Sequence, residues 1–204
     1  MCVSDLHTRD IDPPEGDLLI NCGDHTFQGT IKEIQWYRSW LDRQKPRYQQ
    51  ICWINGNHDF NGEYWGPELA KETGTIYLQD SLVEVLGLKI YGSPCSPTFG
   101  RWAFMRDRGN DIRQVWEKIP EGLDICMTHS PPFGINDWVP RSEEHAGCWD
   151  LLDILKKRKP KYHVSGHLHW NGGLVKKEHG ITFINAAVCN EEYSPNNQIV
   201  SFEI

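Results

Sequence analysis

The chain has 204 residues, 39% of them hydrophobic and 24% charged, with a formal net charge of −7. That length and balance predict one globular domain over residues 1–204 with a substantial core. The acidic excess argues against stable nucleic-acid binding, which needs clustered Lys and Arg, and no apolar run is long enough to span a membrane.

In chain order, Val3-Ser4 ends a short apolar run that predicts a short first strand. Asp17 to Asn21 predicts a strand. Thr30 to Gln44 predicts a helix, with Thr30 and Glu33 as a capping box and Ile31, Ile34, Tyr37 and Leu41 on one face. Gln49 to Ile54 reads as a strand, and Leu82 to Leu86 with Leu88 to Tyr91 reads as a hairpin about Gly87. Leu123 to Met127 follows as a strand. Cys148, Leu151, Leu152 and Leu155 mark a second amphipathic helix. Its basic end, Lys156 to Lys161, suits a helix C-terminus facing solvent. Tyr162 to Ser165, Gly173 to Val175, Ile181 to Ile184 and Ile199 to Phe202 predict further strands. Strands alternate with helices early and dominate late, which predicts α/β layers with mixed sheets. The seven cysteines are scattered, with no C-x-x-C pair, and predict reduced thiols in a cytoplasmic protein.

Polar residues follow these strands in a repeated way. Val3-Ser4 leads into Asp5-Leu6-His7, and Leu18 to Cys22 leads into Gly23-Asp24. Ile51 to Ile54 leads into Gly56-Asn57-His58-Asp59. Ile125 to Met127 leads into Thr128-His129, and His163 to Ser165 leads into Gly166-His167-Leu168-His169. Ligands bind outside the carboxyl ends of strands in open α/β sheets, so these strand ends predict one convergent site. Asp5 and His7 are two apart and face one way on an extended chain, as do His167 and His169. Imidazoles with carboxylates and an amide oxygen suit Mn, Fe, Zn, Co or Ni better than calcium. The remaining histidines, His25, His145, His163 and His179, read as non-ligands, with His25 placed to reach the pocket rim. The Pro-, Gly- and aromatic-rich stretch from Gly92 to Gly109 reads equally as a functional loop or a structural one.

These five blocks together resemble the motifs of the calcineurin-like metallophosphoesterases, and most closely the metallophosphoesterase-domain-containing, cyclic nucleotide phosphodiesterase-like proteins. Ile76 to Ser81, Ile90 to Pro94, Met127 to Pro132 and Asp137 to Pro140 support the resemblance. It implies a four-layer αββα sandwich of two mixed β-sheets flanked by helices. It implies two divalent metal ions, Mn²⁺ first among them. Asp5, His7, Asp24 and His169 would hold one, and Asn57, His129 and His167 the other, with Asp24 bridging. His58 would contact the substrate phosphate and leaving oxygen, and Asp59 would orient its ring. The implied reaction is in-line attack of a metal-bridging hydroxide on a phosphoester.

Two departures qualify the resemblance. Few residues precede Asp5, which predicts that Asp5 and His7 are held loosely. Some animal relatives lack the first His of the last block, whereas His167 is kept here, which implies an active centre. Protein phosphatases of the superfamily carry Arg beside the metal motifs, and Asp24 to Gly29 and the residues just after Asp59 have none. That weakens the case for a monoester, and the resemblance implies instead a phosphodiesterase acting on cyclic nucleotides. Trp102, Phe104 and Trp138, with Arg101 nearby, read equally as substrate contacts stacking on a base or as core. The alternatives are a phosphomonoesterase or protein phosphatase, a nuclease, and a non-catalytic binding scaffold.

Overall fold

The computed structural model describes residues 1–204. In chain order the elements are β1 (Cys2–Val3), β2 (Gly16–Asn21), α1 (Ile31–Gln44), β3 (Tyr48–Trp53), α2 (Gly62–Thr73), β4 (Ile76–Tyr77), β5 (Ser81–Val85) and β6 (Leu88–Ser93). There follow β7 (Ser96–Pro97), β8 (Met105–Arg106), α3 (Asn110–Trp116), β9 (Ile125–Thr128), β10 (Trp138–Val139) and β11 (Glu144–His145). The chain then forms α4 (Trp149–Arg158), β12 (Tyr162–Ser165), β13 (Val175–Glu178) and β14 (Ile181–Asn185).

One sheet runs β1-β2-β3-β4, with every pair parallel. The other runs β13-β14-β12-β9-β6-β5, parallel from β14 to β6 and closed by antiparallel edges. Alternation along the strands produces the layers, because successive side chains point to opposite faces. On β2 and β3, Leu19, Ile51 and Trp53 pack outward against Tyr37, Trp40, Leu41 and Leu69 of α1 and α2. Their neighbours Ile20 and Cys52 point inward, where they join Ile90, Ile125, Met127, Val164 and Ile184 of the second sheet. On that sheet Tyr91, Cys126 and Phe183 point outward again, onto Ile112, Trp116, Leu151 and Leu155 of α3 and α4. The result is an αββα sandwich with three apolar layers between the elements.

The predicted capping box of α1 is present. Glu33 N–H donates to Thr30 Oγ1, and Thr30 N–H donates to Glu33 Oε2 at 2.9 Å. Glu33 also accepts from Phe27 N–H at 3.0 Å, so the cap ties the helix to the loop after β2. One helix was not predicted, one predicted strand is reduced, and one loop gains a short pairing. Helix α2 had no apolar period to announce it, because its sequence holds Gly62, Gly66 and Pro67. The predicted strand at Ile199 to Phe202 is a single bridge, Cys2 to Val200. Within Gly92 to Gly109, β7 and β8 pair in parallel and bring the turn between them towards the ends of the central strands.

Candidate metal centre

The parallel core strands of each sheet deliver their carboxyl ends to one edge of the sandwich. From β1 come Asp5 and His7, from β2 Asp24, from β3 Asn57, His58 and Asp59, from β9 His129, and from β12 His167 and His169. Asp5, His7 and His129 are fully buried, and Asp24 and Asn57 are 2% exposed. Two groups form, Asp5–His7–His169 and Asp24–His129–His167, each with its ligand atoms within 4.8 Å of one another. Asp24 stands between them: its Oδ2 lies 3.9 Å from His7 Nε2 and 3.3 Å from His129 Nε2. His58 can also share a group with His7 and Asp24, so distance alone does not separate it from the ligands.

The hydrogen bonds orient these rings for metal. Nδ1 of His7 donates to Thr26 O at 3.2 Å, Nδ1 of His129 to Cys22 O at 2.8 Å, and Nδ1 of His169 to Asn190 O at 2.9 Å. A ring that donates from Nδ1 turns its Nε2 lone pair inward, the usual arrangement of a metal-bound imidazole. Acceptors then meet acceptors. His169 Nε2 is 3.3 Å from both His7 Nε2 and Asp5 Oδ1, and His129 Nε2 is 2.9 Å from Asn57 Oδ1. Asp5 Oδ1 is buried with no hydrogen-bond partner, and no Lys or Arg lines the cleft. Such a set needs protons or a cation at its centre, and its donor chemistry fits divalent transition metals.

Protonation answers part of this need. Burial opposes a charge on His129, but Asp24 and Asp5 outweigh it and raise the ring to about 9. His169 meets the same opposition, and Asp5 raises it to about 9. Burial pushes His7 down to about 4 and His167 to about 3. A cation entering the site therefore displaces protons from His129 and His169 and finds the other two rings already neutral.

The backbone is strained where it presents the candidate ligands. Asp5, His7, Asp24 and His167 have φ of 56°, 43°, 53° and 67°, in the left-handed region that costs an L residue about 1–2 kcal/mol. Close approach demands glycine beside them. A Cβ on Gly56 would overlap Asp24 Oδ1 and lie 2.6 Å from His129 Cε1, and one on Gly166 would overlap Ser4 Oγ and Asp5 Oδ2. The expectation that Asp5 and His7 are held loosely is wrong. The strand before them is short, but Asp5 N–H donates to Gly23 O at 2.8 Å and His7 N–H to Asp24 O at 3.0 Å. Asp5 Oδ2 in turn accepts from His167 N–H at 2.9 Å, joining the first and last motifs.

Asp59 does not orient His58, a second correction. His58 Nδ1 donates instead to Phe27 O at 2.9 Å. The Asp59 carboxylate accepts from Gly56 N–H at 2.8 Å, Thr26 Oγ1 at 2.8 Å and Thr26 N–H at 3.0 Å. It ties the loop after β2 to the loop after β3. His25 is not at the rim: it is buried, stacked on Tyr37 at 3.8 Å, and donates from Nε2 to Ile54 O at 2.9 Å.

A cleft of about 260 Å³ opens over the candidate metal ligands. Of the proposed substrate contacts only Trp102 lines it, with its ring 4.4 Å from that of His58. Phe104 packs against the start of α2, near Gly62. Trp138 turns its ring to His145 and leaves its neighbour Val139 to line the cleft, and Arg101 is exposed outside it. The cleft is completed by Phe99, Trp170, Glu191 and Tyr193, which the motifs did not identify. Trp170 was the most accessible to inference, since it directly follows His169. A larger cavity of about 990 Å³ lies far from this chemistry, lined by Met1, Leu18, Leu88 and Phe202 among others.

The calcineurin-like phosphoesterase family profile matches residues 2–171. The chain belongs to that family. Metallophosphoesterase domain-containing protein 1 of Homo sapiens is 38% identical over 231 aligned positions, covering all of this chain and 70% of the human protein. The UPF0046 protein T07D4.2 of Caenorhabditis elegans is 32% identical over 239 positions, covering all of this chain and 59% of its own length. Among solved structures, TT1561 of Thermus thermophilus superposes with a TM-score of 0.58 at 12% identity, over 83% of this chain and 76% of that one. That last likeness concerns the fold alone. As a calcineurin-like phosphoesterase, the protein is a metal-dependent hydrolase of small phosphoesters, and the divalent ions fit the residue groups described above.

Proposed function

We propose that this phosphoesterase acts on phosphodiesters, cyclic nucleotides among them, with Mn²⁺ as its preferred metal. The observation that carries the reading is the charge of the cleft. Its wall holds Asp24 and Glu191 but no Lys or Arg. A monoester dianion brings one more negative charge than a diester and finds no guanidinium to receive it. The wall offers instead the faces of Phe99, Trp102, Trp170 and Tyr193, which suit planar organic groups on a diester.

Asp5, His7, Asp24 and His169 would hold one ion, and Asn57, His129 and His167 the other, with Asp24 shared. When bound, such a pair of ions makes water a nucleophile near neutral pH and neutralises charge on the phosphate. The chain's own work is positioning and proton delivery. His58, fixed through Nδ1 to Phe27 O, turns Nε2 to the cleft as the proton donor to the leaving oxygen. Trp102 packs beside that ring, with the centroids 4.4 Å apart. With His58 and every ligand present, a non-catalytic scaffold is the weaker reading. Seven buried, unpaired thiols support a reducing setting, the cytoplasm.

A panel of bis-p-nitrophenyl phosphate, p-nitrophenyl phosphate and the 2′,3′- and 3′,5′-cyclic nucleotides tests the substrate class. At least one diester should exceed the monoester by about tenfold or more in kcat/KM, roughly 1.4 kcal/mol of barrier. A panel led by p-nitrophenyl phosphate would return the protein to the phosphomonoesterases.

A further inference from the structure

The segment after β14 lies beyond the family match at residues 2–171, yet it supports the first metal group. The hydrogen bond that holds Nδ1 of His169, and so leaves Nε2 to the metal group, runs from Nδ1–H to the backbone carbonyl of Asn190, at 2.9 Å. That carbonyl is aimed by a tight turn. The Asn190 side chain accepts through Oδ1 from Ser194 N–H at 2.9 Å and Glu192 N–H at 3.1 Å. Asn190 N–H donates to Ser194 O at 2.8 Å, and Tyr193 N–H donates to Asn190 O at 2.9 Å. Arg9 holds the turn from outside, Nε to Tyr193 O at 2.7 Å.

Asn197 secures the other side. Its Nδ2 donates to His169 O at 2.9 Å and to Cys189 O at 2.8 Å, linking the backbone that carries His169 to the backbone before the turn. The Tyr193 ring meets the His7 and His169 rings edge-on, at 4.8 and 5.4 Å, and closes the group on its outer side. Tyr193 sits at φ 57°, a strained conformation that these bonds sustain.

We propose that Asn190 and Asn197 are positioning residues for His169, and that the affinity of the Asp5–His7–His169 group for its ion depends on them. The two act through opposite chemistry. Asn190 works as an acceptor through Oδ1, whereas Asn197 works as a donor through Nδ2. Asp keeps the acceptor and loses the donor. Asn190→Asp should therefore preserve the site, while Asn197→Asp should damage it as Asn197→Ala does. The claim does not depend on the substrate class.

The test is calorimetric titration of the chelated 204-residue chain with Mn²⁺, alongside thermal melting of each variant. Asn190→Ala and Asn197→Ala should weaken one of two ions by about 10- to 100-fold, the usual cost of losing an outer support, and leave the other near its original affinity. Asn190→Asp should restore the wild-type titration, and Asn197→Asp should not. Should an alanine variant fail to fold, the aspartate pair decides. Identical behaviour of the two aspartate variants, or unchanged binding of both ions in every variant, overturns the assignment.

Discussion

Chelation of divalent ions should abolish phosphoester hydrolysis by this chain, and Mn²⁺ should restore it better than Mg²⁺. Apart from protons on His129 and His169 the site has no source of positive charge, since no Lys or Arg lines the cleft over Asp24, Asn57, His167 and His169. Four imidazoles among the ligands favour a borderline metal over the all-oxygen preference of Mg²⁺. The loss should be on the order of 10³-fold or more, about 4 kcal/mol of barrier. Affinity should also depend on pH in a defined direction. His129 and His169, raised to about 9, carry protons below that pH that the metal must displace. The logarithm of the affinity should climb with pH by up to about one per displaced proton and level off above 9. His7 and His167, at about 4 and 3, contribute no slope near neutrality. Reconstitution assays and metal titrations between pH 6.5 and 9.5 read both effects. Equal rescue by Mg²⁺, or a flat pH dependence, would count against this ligand set.

The second large effect separates His58 from His167. Both are partly exposed at the cleft, and both can join a three-residue ligand group. His58→Ala should keep two metals per chain by elemental analysis and lose about 10²- to 10⁴-fold in kcat, as expected when a general acid is removed. The loss should shrink for p-nitrophenolate, a leaving group that needs little protonation. His167→Ala should instead lower the occupancy of the group holding Asp24 and His129, with partial rescue by excess metal. A metal lost from His58→Ala, or both retained at full affinity in His167→Ala, would reverse the two roles.

The candidate metal ligands were legible in the sequence because each lies within a few residues of a strand end. A parallel strand sends its next residues to the same edge as its neighbours, so local order became spatial convergence. The layers were legible in part, since Leu19 and Ile20, or Cys52 and Trp53, alternate between two apolar faces and the sequence shows only an apolar run. Helix α2 was hidden by Gly62, Gly66 and Pro67, whose cost is met by packing rather than by propensity. The supports were hidden for another reason. Asn190, Thr26, Cys22 and Phe27 hold histidines through backbone carbonyls, and no side chain type marks such a role. The cleft wall draws on Phe99, Trp170 and Tyr193 from separate loops. Phe104 and Trp138 look equivalent in sequence and point elsewhere.

On the proposed reading one buried carboxylate, Asp24, joins the two groups of candidate metal ligands into one site. Elemental analysis of Asp24→Asn beside the wild type, after loading with Mn²⁺ and desalting, tests it most directly. Asp24 Oδ2 lies within 4 Å of ring nitrogens from both sides, His7 at 3.9 Å and His129 at 3.3 Å. The wild type should retain two ions per chain, and Asp24→Asn should weaken both and retain fewer than one. An Asp24→Asn protein that keeps two ions per chain at wild-type affinity would contradict the shared centre.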